Sequence, residues 1–207
     1  MTKISERGMI FNAEMVRALL DGRKTQTRRP IKWKQTRFTE IGEREDGSKW
    51  PWSEDAEHAC DFWHPCPFGA VGDRIWVREA FRVHSRATDV ATLAYKASER
   101  NSWTEQTRRV PVAVCNKPAT PEKWTPSLHM PRWASRILLE ITGVRVERLR
   151  SMSQDDARAE GVIAASGPME AGLAFRELWD SIYGEESWKA NPWVWVIEFK
   201  RVEGGAA

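Results

Sequence analysis

Cysteine is scarce in this 207-residue chain, which contains only Cys60, Cys66 and Cys115. Small secreted proteins rely on a larger, even set of cysteines that pair as disulfides. Apolar runs are short as well: no stretch approaches the roughly 18 apolar residues of a membrane span, and the N-terminal residues MTKISERG lack a signal-peptide core. We therefore expect a cytoplasmic protein with reduced thiols and no membrane association.

Acidic residues are absent from residues 22–38, a stretch that contains seven basic ones. The following residues, 40–61, reverse this balance with eight acidic and two basic residues. A basic segment that includes an aromatic residue, here Trp33, suits contact with nucleic-acid phosphates and stacking on a base. A solvated surface segment can have the same composition. If the segment binds RNA or DNA, the expected contacts are Arg28, Lys32 and Lys34.

The motifs of several enzyme classes are also missing. The chain has no Walker A loop, no GxGxxG fingerprint and no GxSxG nucleophile elbow. Residues 58–66 hold four side chains of the types that bind zinc, but their spacing, HxCxxxHxC, is not that of a zinc finger or ribbon. These side chains are His58, Cys60, His64 and Cys66. We expect a loop with unpaired thiols here, and no metal or cofactor.

The periodicity of apolar residues predicts an α+β fold, because the helices neither alternate regularly with strands nor dominate. The capping residue Asn12 and Gly22 bound the first predicted helix. The insertions predicted to be irregular and rich in loops are residues 37–70 and 98–135. The other predicted elements are strands at 9–11, 25–31, 72–81, 92–97, 136–149 and 192–202, and helices at 153–161 and 169–182.

The segment DGRKTQTRR, residues 21–29, follows the first predicted helix and concentrates a lysine, two threonines and three arginines. A threonine hydroxyl is a weak nucleophile that needs an adjacent base. A lysine can act as that base where burial lowers its pKa. Lys24 is the candidate base, and Thr25 and Thr27 are both candidate nucleophiles, because spacing does not say which hydroxyl faces the lysine. Anion binding and a solvated helix end are the alternative interpretations.

The segment LLDGRKTQTRR resembles the signature segment of ASCH-domain proteins, which are relatives of the PUA fold. Three more segments match this family in order: GDRIWVREAF, SQDDARAEGV and WVIEFKRV. The chain is similar to the bacterial N4-acetylcytidine amidohydrolases of the family and, along almost its whole length, to longer ASCH proteins encoded by phages or prophages. The resemblance implies a small PUA-like β-barrel with flanking helices, formed by a single domain over residues 1–207 that carries the two insertions.

The resemblance also implies a set of catalytic residues. The family's lysine falls on Lys24, its threonine nucleophile on Thr27 and its glutamate on Glu160, in the predicted helix SQDDARAEG. A carboxylate in the last turn of a helix is opposed by the helix dipole, so a cation is expected beside Glu160. The implied reaction removes an acyl group from N4-acetylcytidine or a related modified nucleoside without metal. We expect Arg29 and Arg78 to contact the substrate.

A second function stays open because the chain departs from the smaller amidohydrolases. It is longer, chiefly in the two insertions, and more basic after Thr27. PUA-like domains commonly bind RNA, and some ASCH proteins are nucleases. The alternative is therefore an RNA- or DNA-binding module, with or without nuclease activity, that uses residues 22–38. A protein that uses the fold only for interaction is a third possibility.

Overall fold

The computed structural model describes residues 4–32, 40–55, 60–163 and 170–202. Within them the chain forms eleven strands and five α-helices, so the predicted α+β class is confirmed. The strands are β1 Glu6–Ile10, β2 Gln26–Pro30, β3 Glu40–Glu43, β4 Lys49–Asp55, β5 Cys60–Trp63, β6 Arg74–Arg78, β7 Phe81–Arg86, β8 Val90–Tyr95, β9 Thr107–Pro111, β10 Leu138–Arg148 and β11 Trp193–Arg201. The helices are α1 Ala13–Leu20, α2 Trp103–Gln106, α3 Gln154–Ala159, α4 Glu170–Tyr183 and α5 Glu185–Lys189.

The described strands form three sheets. The largest has the order β1-β6-β10-β11-β2, in which β1 pairs with β6 in parallel, and β6 with β10 and β11 with β2 pair antiparallel. The other two are antiparallel three-stranded sheets, β3-β4-β5 and β7-β8-β9. Strands joined by short connections favour such antiparallel pairing.

The chain divides into two compact units that interleave along the sequence. The first comprises residues 1–22, 74–140 and 201–207, and the second comprises residues 23–73 and 141–200. A core of buried apolar side chains from β7, β8 and β9 lies in the first unit. A core beneath β11 in the second unit joins Val194 and Val196 to apolar side chains of α3 and α4.

Most elements around the predicted site form where the sequence places them. Asn12 caps α1, because its Oδ1 accepts a hydrogen bond of 2.8 Å from the backbone N–H of Met15. The turn after α1 uses Gly22 in the left-handed region, with φ +75°. Strands β2, β6, β10 and β11 and helix α3 also lie within their predicted segments.

The prediction of an irregular segment at residues 37–70 is wrong, because β3, β4 and β5 form a sheet there. A pair of tryptophans lies across two of these strands. Trp52 lies opposite Trp63, and the Trp63 ring would approach a Cβ at Gly42 to 3.0 Å. Aromatic cross-strand pairs stabilise a sheet without simple alternation of apolar and polar residues.

Four further strands and α-helices were not predicted. The segment GDRIWVREAF contains all of β6, which ends at Arg78, and a second strand, β7, begins at its last residue, Phe81. The expected loop at 98–135 contains α2 and β9, and α5 follows α4. None of the described helices is long and apolar enough to cross a membrane.

Candidate active site

The backbone around Lys24 is fixed against two other parts of the second unit. The Thr25 N–H donates a hydrogen bond of 2.8 Å to the carbonyl of Ala159, and the Thr25 carbonyl accepts one of 2.9 Å from Phe199 N–H. Lys24 and Glu160 form an isolated antiparallel bridge. The residues that precede β2 are therefore tied both to the end of α3 and to β11.

Helix α3 presents Glu160 at its C-terminal end. Ser153 and Asp156 form a capping box at the other end, where the Ser153 hydroxyl accepts from Asp156 N–H and the Asp156 carboxylate accepts from Ser153 N–H. Glu160 is the C-terminal capping residue, and Gly161 turns the chain away with φ +87°. These caps fix the length of a helix of only six residues and thereby the position of Glu160.

Lys24 and Glu160 form a buried ion pair. Lys24 Nζ lies 2.8 Å from Glu160 Oε2 and also donates a hydrogen bond of 2.9 Å to the Glu160 carbonyl. The two side chains are 0% and 1% exposed. The structure thus brings together two of the three residues predicted as catalytic, although their positions in the sequence are 136 residues apart.

Arg28 shares the Glu160 carboxylate with Lys24. Its Nη1 lies 3.2 Å from Glu160 Oε1, while its Nη2 lies 2.5 Å from Glu147 Oε1 and 3.5 Å from Asp156 Oδ1. The Arg28 side chain is 0% exposed. A nucleic-acid phosphate could reach this guanidinium only if Arg28 separated from these three carboxylates. Arg28 is therefore not the exposed nucleic-acid contact that the sequence predicts.

A second arginine borders this cluster. Arg145 donates to Asp156 Oδ1 at 2.7 Å and to the carboxylates of Glu147 and Glu198. Sequence analysis missed Arg145, Glu147 and Asp156 as parts of the site. Their signal is the pattern GVRVERL, in which Arg145 and Glu147 are two residues apart and so lie on one face of β10.

Burial is the main influence on Lys24 and lowers the pKa of its ammonium group from the ordinary value. Glu160 opposes this change by attraction and by its hydrogen bond, whereas the positive charges of Arg29 and Arg28 lower the Lys24 pKa further. The cluster therefore favours the neutral amine of Lys24 more than an ion pair with Glu160 alone would.

At the Asp156 carboxyl, the effect of neighbouring groups on the pKa outweighs the effect of burial. Burial raises its pKa, but hydrogen bonds from Ser153, the charge of Arg28 and a hydrogen bond from Gln26 together hold the pKa well below its usual range. Gln26 Nε2 donates both to the Asp156 carbonyl, at 2.9 Å, and to its Oδ1, at 3.2 Å. Asp156 is therefore an ionised partner for the arginines at neutral pH.

The two candidate nucleophiles differ in burial, since Thr25 is exposed and Thr27 is only 1% exposed. Side chains alternate along a strand, so Thr27 lies on the face of β2 opposite to Gln26 and Arg28, next to its cross-strand neighbour Ile197. Both hydrogen bonds that Lys24 Nζ donates go to Glu160. Thr27 is thus close to Lys24 in sequence and buried, but its hydroxyl is outside the network of hydrogen bonds around Glu160.

The expected substrate contacts lie in different places. Arg29 is half-buried on β2 and donates a hydrogen bond of 3.3 Å to the hydroxyl of Tyr183. Arg78 belongs to the first unit, where its guanidinium donates to the Leu128 carbonyl and lies 5.4 Å from the centre of a Trp76 ring.

The two remaining expected contacts with nucleic acid are Lys32 and Lys34. Lys32 is exposed two residues after the end of β2, and Lys34 lies outside the described residues.

No metal-binding group of three or more His, Cys, Asp or Glu side chains occurs in the described part of the chain. Cys60 is exposed and Cys66 is buried, and His64 Nε2 is 2.9 Å from Ser53 Oγ. His58 also lies outside the described residues.

Comparison with known proteins finds no match: no protein-family model, curated protein or solved structure matches the chain.

Proposed function

We propose that this protein is a metal-independent amidohydrolase that removes the acyl group from N4-acetylcytidine or a related N4-acylated nucleoside. The main support for the proposal is the buried Lys24, because burial lowers the pKa of its ammonium group. The Glu160 carboxylate beside it forms a second ion pair with Arg28. The ordered resemblance of four segments to ASCH-domain amidohydrolases supplies the substrate class and the PUA-like fold that we infer for this chain.

In the proposed reaction, neutral Lys24 accepts the proton of the Thr27 hydroxyl as Thr27 Oγ1 attacks the acyl carbonyl carbon. The tetrahedral intermediate then collapses, the bond between the carbonyl carbon and N4 breaks, and the Lys24 ammonium returns its proton to the departing N4 amine. The products of this half-reaction are cytidine and an acyl ester on Thr27. Water, activated by Lys24, hydrolyses that ester to acetate and restores the hydroxyl.

Lys24 Nζ can serve this cycle because an ammonium group has three donor positions. Two of these positions are directed at the Glu160 carbonyl and carboxylate. Deprotonation at the third leaves a lone pair. Because Thr27 lies on the face of β2 opposite to Gln26 and Arg28, the proposed transfer also requires a rearrangement that brings Thr27 Oγ1 to Lys24 Nζ. General base assistance of this kind typically contributes a factor of about 10²–10⁴ in rate.

Arg28 and Glu160 have supporting roles in this scheme. Glu160 orients the Lys24 amine and balances its charge when the amine is protonated. Arg28 keeps one oxygen of Glu160 occupied, so the carboxylate stays compensated when Lys24 becomes neutral. The acyl group reaches Thr27 only when the side chains that cover it move, because Thr27 is 1% exposed.

The test is release of cytidine from N4-acetylcytidine, followed by chromatography, for the wild type and for Lys24→Ala, Thr27→Ala and Glu160→Ala. We expect turnover by the wild type and losses of at least about 10²-fold in the Lys24 and Thr27 variants. Absence of turnover by the folded wild type, or full turnover by Thr27→Ala, would contradict the proposal.

A further inference from the structure

The three-stranded sheet β7-β8-β9 of the first unit is unusually basic. Its strands contain Arg82, Arg86, Arg108 and Arg109, together with His84, and no acidic residue. Residues 81–135, which include this sheet, hold nine lysines and arginines against four acidic residues, whereas the whole chain has a net charge of only +3. Positive charge is therefore concentrated in this part of the first unit.

The two faces of this sheet differ in chemistry. The inner face supplies apolar side chains to the core of the unit, among them Val83, Leu93 and Val110. The alternation of side chains puts Arg82 on the outer face, and Arg109 lies there as well, directly opposite Thr92. A bulge between Val83 and Ser85 adds His84 to β7 without a direct cross-strand partner.

Aromatic rings accompany the basic side chains of this face. The Arg82 guanidinium lies 4.4 Å from the centre of a Trp124 ring, within the range of a cation–π contact. The His84 ring meets Trp103 edge to face, with their centres 4.7 Å apart. Trp103 is 50% exposed, so part of its ring is open to solvent. We call Arg82, His84, Trp103, Arg109 and Trp124 the aromatic–arginine face.

The positive charges of this face are not neutralised within the described part of the chain. Neither Arg82 nor Arg109 forms an ion pair with a described acidic residue, and Arg82 Nε and His84 Nδ1 are buried without a hydrogen-bond partner there. Acidic residues of this region lie outside the three strands, in turns and in α2. They are Asp89, Glu99, Glu105 and Glu122.

We propose that the aromatic–arginine face binds single-stranded nucleic acid, with phosphates at Arg82 and Arg109 and a base on the open face of Trp103. Unpaired arginines complement phosphate charge, and an exposed ring offers a stacking surface to a base that is not already stacked in a duplex. This surface differs from the expected one at residues 22–38, where Arg28 is buried in carboxylates. The proposal does not depend on the hydrolytic activity of the second unit.

Fluorescence anisotropy tests the proposal with labelled single strands of oligouridine and oligothymidine about 12 nucleotides long, at several salt concentrations. A DNA duplex and polyglutamate serve as competitors. The variants are Trp103→Ala, Trp103→Phe and Arg109→Gln, with Arg201→Gln as the matched control, because Arg201 is an exposed arginine at the end of β11. Circular dichroism verifies that each variant is folded.

We expect Trp103→Ala to weaken single-strand binding by at least about fivefold and Trp103→Phe to retain most of it, because stacking is worth about 1–3 kcal/mol per base. Arg109→Gln should reduce the salt slope, d log K/d log[salt], by about 0.7, the share of one phosphate on a single strand. Arg201→Gln should leave both quantities unchanged. A preference for RNA or for DNA strands identifies the natural class.

Four results would overturn the proposal. They are no single-strand binding by the wild type at low salt, equal binding by Trp103→Ala, equal effects of Arg109→Gln and Arg201→Gln, and competition by duplex or polyglutamate as effective as that by unlabelled single strand. The last result would assign the face to duplex or to an acidic protein segment.

Discussion

The Lys24 ammonium and the Glu160 carboxylate lie 2.8 Å apart, and each side chain is almost completely buried. A buried ion pair stabilises a protein only if its attraction exceeds the cost of removing both charges from water. Here the carboxylate also has a second cation, Arg28, on its other oxygen. The pair is therefore arranged so that Lys24 can lose its proton while Glu160 keeps a positive partner.

Replacement of Arg28 by methionine should raise the pKa of Lys24. The substitution removes a cation that lowers this pKa and leaves Glu160 with Lys24 as its nearest cation. If Lys24 acts as the base, the rising limb of kcat/KM against pH moves to higher pH, by about one unit for each 1.4 kcal/mol of lost repulsion. An NMR titration of the Lys24 side chain measures the same shift without activity.

Arg28→Lys is the matched control. Because it keeps the positive charge, the rising limb of kcat/KM against pH should stay near its wild-type position. An unchanged Lys24 titration in Arg28→Met would contradict the role given to Arg28. A shifted titration without any turnover by the wild type would instead contradict the proposed reaction alone.

The buried pair should show strong coupling in a double-mutant cycle of Lys24→Met and Glu160→Gln. Removal of one partner of a buried pair costs about 3–5 kcal/mol, because the remaining charge stays uncompensated. Glu160→Gln should cost more than Lys24→Met, since it leaves Lys24 without a carboxylate partner, whereas Glu160 retains Arg28 when Lys24 is removed. Urea denaturation measures the free energies of unfolding.

The exposed pair of Lys189 and Glu186, 2.7 Å apart on α5, provides the control cycle. Its coupling should stay within about 0.5 kcal/mol, as expected for an exposed helix pair. Equal couplings in the two cycles would show that burial of Lys24 and Glu160 has no energetic effect.

Asp156 should make the protein sensitive to acid. Its folded pKa is depressed below the unfolded value of about 3.9, so its contribution to the free energy of unfolding is complete above about pH 5 and declines as the pH falls toward the folded pKa. Asp156→Asn should lower stability at neutral pH and weaken the loss of stability between about pH 4 and pH 2.

The matched control is Asp155→Asn, one position earlier in α3. The Asp155 side chain is 93% exposed and pairs only with Arg158 in the described structure, so its replacement should leave the acid profile close to that of the wild type. Identical acid profiles for wild type and Asp156→Asn would contradict the linkage assigned to Asp156.

Local signals in the sequence predicted much of the frame around the site. Asn12 and Gly22 marked the ends of α1, and Ser153 and Gly161 marked those of α3, because capping geometry requires particular residue types. The contact between Lys24 and Glu160 could not follow from such signals, since it depends on the pairing of β2 with β11 and on the position of α3. Only the resemblance to the ASCH-domain family singled out these two residues together.

The role of Arg28 shows where reasoning from charge alone fails. A run of basic residues predicts a solvated or nucleic-acid-binding segment, yet Arg28 points toward Glu147, Asp156 and Glu160. Its partners come from β10 and α3, more than a hundred positions later in the chain, and a charge count along the sequence does not reveal them. Similarly, the sheet β3-β4-β5 contains the cross-strand pair of Trp52 and Trp63, which a pattern within one strand does not reveal.

Thr27 and Thr25 provide a matched pair for the identity of the nucleophile. Thr27→Val removes a buried hydroxyl with little change in shape, and Thr25→Val removes an exposed one two positions earlier. Only Thr27→Val should abolish release of cytidine from N4-acetylcytidine. Loss of activity in both variants would point to a disturbed β2 and is distinguished by their thermal unfolding curves.

The most direct measurement is mass spectrometry of the protein quenched in acid during turnover of N4-acetylcytidine. We expect one acetyl group on the peptide that contains Thr27, localised to that residue by fragmentation and absent from Thr27→Val. An acetyl group on Lys24 or Thr25, or wild-type rates of cytidine release by Thr27→Val, would contradict the proposed reaction.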